Sequence, residues 1–249
     1  MATPTARAVS GRVVLVTGST SGIGEATARR FARSGDRVVF NSARSVERGE
    51  QLQAQFTDSL YVRADVADQK QCDRLVHTVL AHYGRLDVLI NNAGVTRVIN
   101  HRDLTAASVD VWREIFDLNV FGTWQLSVAA MDALRESHGA IVNVSSIAGL
   151  RPTGSSIPYA ASKAALNHLT ALLARVVGPE VRVNAVAPGL VDTPWSAQWD
   201  SIRSRVSARA PLGRSAQPDD VAEVIVALVE SAYVTGQVVV VDGGLTLLS

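Results

Sequence analysis

Short β-branched runs alternate with longer helix-patterned stretches along nearly the whole chain, and this alternation limits the possible folds more than any other feature. The strand candidates are Arg12–Thr17, Arg37–Asn41, Leu60–Arg63, Leu86–Asn91, Ala140–Ser145, Val181–Ala187 and Gln237–Val241. Helical patterns lie between them near Ile23–Ser34, Val46–Ala54, Gln69–Tyr83, Ala107–Arg135, Ile157–Val177 and Asp219–Ser231. Val13-Val14-Leu15-Val16 is apolar at every position, so both faces of that strand are buried. Parallel neighbours need crossover connections, and helices supply them here. The expected fold is α/β: a doubly wound, seven-stranded parallel sheet with helices on both faces. Ligands are expected beyond the carboxyl ends of its strands.

The chain has 249 residues, 47% of them hydrophobic, which is enough for one core without staples. No linker or repeat divides it, so residues 11–249 read as one domain preceded by a short flexible segment, 1–10. The least regular stretch, Leu190 to Arg214, carries Pro194, Trp195, Trp199, Pro211 and Gly213 and is a candidate lid near 190–214. Net charge is +1, from 24 basic and 23 acidic residues scattered without a basic stripe, so nucleic acid is not an expected partner. One cysteine, Cys72, leaves no internal disulfide and fits a reducing compartment. No apolar run approaches the ~20 residues of a membrane span, and Met1–Ser10 lacks an apolar signal core. The expectation is a cytoplasmic chain with no membrane partner. The five histidines show no metal-ligand spacing, so no metal is expected. Ser145, Ser146, Ser155 and Ser156 lack the Gly-x-Ser-x-Gly elbow of a hydrolase.

Directly after the first strand comes Thr17-Gly18-Ser19-Thr20-Ser21-Gly22-Ile23-Gly24, which opens a helix. Glycines let the backbone approach a pyrophosphate, whose charge is favoured at a helix N-terminus. Three residues rather than one follow the first glycine, unlike the common dinucleotide pattern. The second strand ends Phe40-Asn41-Ser42-Ala43-Arg44, without the acidic residue that holds the adenosine ribose of NAD. Ser42 and Arg44 suit a 2′-phosphate, so NADP(H) is favoured over NAD(H). A solvated turn is the plain alternative for Arg44.

Tyr159 and Lys163 stand four residues apart in Pro158-Tyr159-Ala160-Ala161-Ser162-Lys163, so on a helix they share a face. A free phenol titrates near ~10 and is nearly inert as an acid or base at neutral pH. A cation at about 4 Å, in a medium of effective dielectric ~20, supplies the roughly 4 kcal/mol that brings it to about 7. The pair is a candidate proton-transfer device. On a solvated helix the same spacing is common and means nothing.

Taken together, Thr17-Gly18-x-x-x-Gly22-x-Gly24, Asp65-Val66, Asn91-Asn92-Ala93-Gly94, Asn119, Ser146, Tyr159-x-x-x-Lys163 and Pro188-Gly189 with Thr193 resemble the short-chain dehydrogenases/reductases of the compact, one-domain subclass. The resemblance runs from Gly11 to about Gly244 and implies a Rossmann-like sheet that binds NAD(P). It implies hydride transfer between a nicotinamide cofactor and a ketone or secondary alcohol. Tyr159 would be general acid or base, Ser146 would hold the carbonyl oxygen, Lys163 would lower the phenol's pKa and bind the nicotinamide ribose, and the main chain of Asn119 would hold a water joining Lys163 to solvent. The cofactor would be held by Gly18, Ser19, Ser21, Gly22, Ile23, Gly24, Ser42, Arg44, Asp65, Val66, Asn92, Ala93, Gly94, Tyr159, Lys163, Pro188, Gly189, Val191 and Thr193. In this reading Asp65 accepts from the adenine amino group.

The substrate pocket is expected among Thr96, Ile147, Leu150, Arg151, Thr153, Ile157, Leu190, Trp195 and Trp199, a mostly apolar set that selects no one carbonyl compound. The resemblance extends to 3-oxoacyl-acyl-carrier-protein reductases of fatty acid synthesis, which are the alternative reading. Those relatives place basic residues at two carrier-docking points where this chain has Ser137 and Glu180. A non-catalytic dinucleotide-binding regulator is a second alternative, against which the intact Asn119, Ser146, Tyr159 and Lys163 argue. The long apolar faces of Ala107–Arg135 and Ile157–Val177 fit the helix pairing of relatives, so a homo-oligomer, a dimer or more expectedly a tetramer, is anticipated. The Gly236-Gln237-Val238 strand and the Leu245–Ser249 tail are a second expected contact.

Overall fold

The computed structural model describes residues 11–247. The segment 1–10 and the end of the Leu245–Ser249 tail lie outside the described residues. Strands β1 (Val13–Val16), β2 (Arg37–Ser42), β3 (Leu60–Arg63), β4 (Val88–Asn91), β5 (Ala140–Val144), β6 (Arg182–Pro188) and β7 (Val238–Val241) form one sheet in the order β3-β2-β1-β4-β5-β6-β7. Every neighbouring pair is parallel. The crossovers carry α1 (Gly22–Arg33), α2 (Val46–Gln53), α3 (Gln69–Tyr83), α4 (Val109–Phe116), α5 (Thr123–Ala129), α6 (Met131–Glu136), α7 (Ile157–Val177), α8 (Asp200–Arg209) and α9 (Pro218–Glu230).

Strand alternation sorts the core into two layers. Val13 and Leu15 pack with Leu75 of α3, Leu126 of α5 and Leu173 of α7. Val14 and Val16 pack on the opposite face with Phe31 of α1 and Ile225 of α9. Both sets are fully buried or nearly so, which is why β1 is apolar at every position. The chain winds outward from β1 to β3, returns to pair β4 with β1, and winds outward again to β7. The order reverses between β1 and β4, and a crevice opens there at the carboxyl ends.

Two expectations need correction. The stretch 107–135 is not one helix: after α4 the backbone widens into a π-turn over Asp117–Gly122, resumes as α5, and breaks again before α6. Gly122 permits this, since a Cβ there would stand 2.8 Å from the Val66 carbonyl oxygen. π-turns of this kind often mark functional sites. The stretch 190–214 is not irregular throughout, because it contains α8. That helix offers only Ile202 and Val206 as an apolar i, i+4 pair among serines and arginines, too little periodicity to read.

Among the described residues no helix is long and apolar enough to cross a membrane. Cys72 is fully buried and burial pushes its thiol up to about 12, so it is an inert core residue.

Candidate active site

A cleft of about 800 Å³ opens at the switch point, lined by the glycine loop, the ends of β2 to β6, the start of α7 and residues of the stretch 190–206. Its floor follows from two local arrangements. Ser156 caps α7 by accepting from the Tyr159 amide at 3.3 Å, and Pro158 presets the first turn. The turn Ile147–Gly149 then lies directly on α7: a Cβ at Gly149 would come within 2.6 Å of the Lys163 carbonyl carbon. This approach puts Ser146 and Tyr159 on the same floor of the cleft, where Ser146 Oγ donates to the Pro188 carbonyl at 3.5 Å and accepts from the Ala148 amide at 3.1 Å. Ser145, next to Ser146, donates to the Lys163 carbonyl at 3.2 Å.

Lys163 is buried, with Nζ 5.7 Å from the centre of the Tyr159 ring, and donates to the Val144 carbonyl at 2.9 Å. An ammonium has three donors, so two remain for a ligand in the cleft. Burial pushes the Lys163 amine down to about 8 and the Tyr159 phenol up to about 12, the latter partly offset by the Ser146 hydroxyl. This corrects the sequence-based picture of a phenol brought down to about 7. Both groups lie on the floor of the cleft, shielded from bulk water, and losing water penalises ammonium and phenolate alike. The phenol therefore stays protonated at neutral pH.

Asn119 does not line the cleft. It is buried inside the π-turn, where its side chain accepts from Val95 N at 2.8 Å and donates to Val95 O and to Ser162 Oγ, each at 3.0 Å. Ser162 in turn donates to the Tyr159 carbonyl at 2.8 Å. The Asn119 carbonyl accepts from Thr123 Oγ1 at 3.1 Å.

The glycine loop fits a pyrophosphate. Ser21 gives the start of α1 no side-chain cap, so the first-turn amides beside the cleft keep no side-chain acceptor among the described residues. Gly18 and Gly22 have φ of +60° and +55°. A Cβ at Gly24 would stand 2.5 Å from the Gly18 carbonyl oxygen and 2.4 Å from Asn92 Nδ2. Asn92 is a brace as much as a wall: its amide nitrogen donates to Thr17 O at 2.8 Å and Gly18 O at 3.1 Å.

Gly18, Ser21, Gly22, Ile23, Ser42, Arg44, Asp65, Val66, Asn92, Ala93, Gly94, Pro188, Val191 and Thr193 all line the cleft. Ser19, Gly24 and Gly189 do not. Ser19 is buried and its hydroxyl accepts from the Asn41 amide at 2.9 Å, whereas Gly189 packs on Asp242. Ser42 shares a 2.8 Å hydrogen bond with Tyr61. Asp65 accepts from the Ala67 amide through one carboxylate oxygen, leaving the other without a partner among the described residues.

On the substrate side Ile147, Thr153, Leu190, Trp195 and Trp199 line the cleft. Thr96, Ile157, Leu150 and Arg151 do not, and the Thr96 hydroxyl is engaged by Ser155. The Trp195 ring meets Tyr159 edge-on, with centroids 6.3 Å apart. Sequence reasoning missed Asn41, whose amide bridges Val62 O and Ala64 O at the end of β3. It also missed the α8 residues Ile202, Arg205 and Val206, which complete the wall.

A family model described as enoyl-(acyl carrier protein) reductase matches residues 18–246. A solved short-chain dehydrogenase/reductase from Burkholderia xenovorans superposes with a TM-score of 0.90 at 40% identity, covering 96% of this chain and 99% of that one. The chain belongs to the short-chain dehydrogenase/reductase family. Among curated members, the "Granaticin polyketide synthase putative ketoacyl reductase 2" of Streptomyces violaceoruber is 58% identical over 95% of this chain and 96% of its own length. The 3-oxoacyl-[acyl-carrier-protein] reductase FabG of Thermotoga maritima is 38% identical over 96% of this chain and 99% of its own. The 3-ketoacyl-(acyl-carrier-protein) reductase of Brucella melitensis, solved with NADH, has a TM-score of 0.89 at 30% identity, over 96% of this chain and 99% of that one. This short-chain dehydrogenase/reductase is an oxidoreductase with an NAD(P)-type cofactor.

Proposed function

We propose that this enzyme uses NADPH to reduce the ketone of a β-ketoacyl thioester of the polyketide type, with Tyr159 as the proton donor. The observation that carries the reading is the Tyr159 phenol on the floor of the cleft with Ser146, with the buried Lys163 Nζ 5.7 Å from the centre of its ring. At neutral pH this phenol carries its proton, the form required of the proton donor in ketone reduction. The 58% identity to the granaticin relative supports the polyketide-type thioester. Neither Ser137, whose hydroxyl donates to the Leu86 carbonyl, nor Glu180 offers the docking cation expected of a fatty-acid enzyme.

The roles follow from the geometry. The bound cofactor supplies a hydride. Ser146 hydrogen-bonds the ketone oxygen and holds it against the Tyr159 hydroxyl, which donates its proton as negative charge develops there. Lys163 keeps two donors toward the cleft for the cofactor's ribose and stabilises the phenolate left behind. Asn119 fixes Val95 and the α7 backbone around both groups. Trp195 and Trp199 shield the pocket from water as part of a lid near 190–214, within one binding domain over 11–249.

The cofactor preference rests on the end of β2, where no carboxylate stands and Arg44 faces the cleft without an ion pair among the described residues. Wild-type enzyme is expected to oxidise NADPH faster than NADH with acetoacetyl thioesters, and to leave crotonyl thioesters unreduced. Arg44→Ala is expected to raise KM for NADPH about tenfold and to leave NADH nearly unaffected, since a charge-assisted phosphate contact is worth ~1.5–3 kcal/mol. Equal responses to both cofactors would overturn the preference, and preferred reduction of the crotonyl thioester would overturn the ketone assignment.

We further propose a homotetramer acting in the cytoplasm. Phe121, Trp124 and Val128 near α5, with Leu172 and Val176 on α7, are about half exposed or more, an apolar surface that a lone subunit leaves in water. Sedimentation at micromolar concentration should show the tetramer; a monomer there would contradict it.

A further inference from the structure

We propose that Arg205 binds the phosphate of a phosphopantetheine arm carrying the thioester substrate; the inference rests on the ketoacyl-thioester reading above. Four cations line the cleft: Arg44, Arg97, Lys163 and Arg205. Three are committed. Arg44 lies at the end of β2 among the adenosine-side residues, and Lys163 sits on the floor with Val144. Arg97 is closed by Glu114 through two bonds of 3.0 and 2.8 Å. Arg205 makes no side-chain hydrogen bond or ion pair among the described residues, yet it faces the cleft.

Its helix shows the contrast within a few residues. Arg203 is a strut: Nε donates to Asp192 at 2.7 Å, another nitrogen to Asp200, and a third to the Ser196 carbonyl at 3.2 Å. Asp192 also accepts from Ser215 at 2.8 Å and Gln217 at 2.9 Å, which pins α8 to the start of α9. With α8 so fixed, Ile202, Arg205 and Val206 stand at i, i+3 and i+4 and present one face to the cleft.

The lid wall therefore changes character along its length. In chain order Trp195, whose ring meets Tyr159 edge-on, is followed by Trp199, by Ile202 one turn along α8, and then by the exposed guanidinium of Arg205, unpaired among the described residues. A ligand suited to this wall has its ketone at one end, a largely neutral body, and an anion at the other. An acyl-phosphopantetheine has that order. A guanidinium is the side chain best matched to a phosphate, because its planar fork engages two oxygens at once. The arm reaches the enzyme either on coenzyme A or on a carrier protein, and both present the same phosphate.

The test compares acetoacetyl-pantetheine with acetoacetyl-4′-phosphopantetheine, which differ only in the phosphate. Arg205→Ala is expected to lower kcat/KM for the phosphorylated thioester about tenfold, mainly through KM, and to leave the unphosphorylated one unchanged. Arg205→Lys should recover part of the loss, and the wild-type preference should shrink with added salt. Arg209, exposed one turn further along α8 and outside the cleft, serves as the control: Arg209→Ala should behave as wild type. Acetoacetyl-coenzyme A and an acetoacetyl carrier protein then distinguish the two sources, since a tenfold loss with either one identifies it as a donor of the arm. Equal loss on both small thioesters, or no loss on either, would overturn the proposal. So would a loss confined to the carrier protein and shared equally by Arg205→Ala and Arg209→Ala, because α8 would then read the protein's surface and not the phosphate. Should the wild type reduce neither thioester, the ketoacyl reading fails by itself. Tryptophan fluorescence titrated with 4′-phosphopantetheine and with pantetheine still decides the Arg205 contact. Tighter binding of the phosphorylated form, lost in Arg205→Ala, supports it; equal binding overturns it.

Discussion

Tyr159→Phe is expected to lower kcat for ketone reduction by at least ~10²-fold, the usual contribution of a positioned general acid, while cofactor affinity stays as in wild type. The substitution removes one oxygen and leaves the ring, which still packs edge-on against Trp195. The loops that form the cofactor cleft do not depend on the phenol. A fall in turnover at unchanged cofactor binding separates catalysis from a dinucleotide-binding role. Ser146 would keep its bonds to the Pro188 carbonyl at 3.5 Å and from the Ala148 amide at 3.1 Å, so the loss should not reach that of a misfolded site. Steady-state rates and cofactor titration on the same preparation check both halves.

Lys163→Met should have two large effects of opposite kind: turnover nearly abolished, and the protein stabilised. The ammonium is buried, and its pKa falls from an ordinary 10.5 to about 8 in the folded chain. The folded value lies below the unfolded one, so the unfolded state holds the proton more tightly. The destabilisation is complete below pH 8 and fades as pH rises from about 8 toward 10.5. At neutral pH this amounts to about 3 kcal/mol. Methionine fills the same space without the charge, at the cost of the hydrogen bond to Val144, about 1 kcal/mol. A net gain of about 2 kcal/mol corresponds to a Tm higher by roughly 4–8 °C in a chain of this size. Calorimetry at pH 7 and at pH 10 checks the sign, because the advantage should shrink at the higher pH. The same titration predicts that kcat/KM for the cofactor, which reports the free enzyme, falls as pH rises through about 8 in the wild type. A variant less stable than wild type at pH 7 would mean that Lys163 is not held as a strained, desolvated cation.

What could be read from the sequence depends on how local the cause is. The bounds of α3 and α7 coincide with the sequence expectation, since their ends carry their own signals. Asp68 accepts from the amides of Lys70 and Gln71, Gly84 ends α3 with φ of 72°, and Ser156 with Pro158 starts α7. β3 coincides as well, and apart from the broken stretch 107–135 and the unexpected α8 the remaining strands and helices differ by one or two residues at an end, the ordinary fraying of ends. The π-turn at Asp117–Gly122 is not legible, because it answers to the Val66 carbonyl of a distant strand and leaves the apolar pattern intact. The site divides in the same way. Contiguous motifs such as the glycine loop and the Tyr159–Lys163 pair announce themselves. Arg97 closed by Glu114, Asn41 bridging two strands and Arg205 facing the cleft are properties of the folded chain. The direction of the phenol's shift went astray for a physical reason: spacing reveals the neighbouring charge but not the water lost by both groups.

The central claim is that a protonated Tyr159 delivers its proton to a ketone oxygen while a hydride reaches the adjacent carbon. The most direct measurement is the reduction of an acetoacetyl thioester with NADPH deuterated at its transferable position, followed by mass analysis of the product. This account predicts one deuterium on the carbinol carbon of a single 3-hydroxyacyl enantiomer, formed at neutral pH. A 3-hydroxyacyl product without the label, or no reduction of the ketone under conditions where NADPH binds, would contradict it.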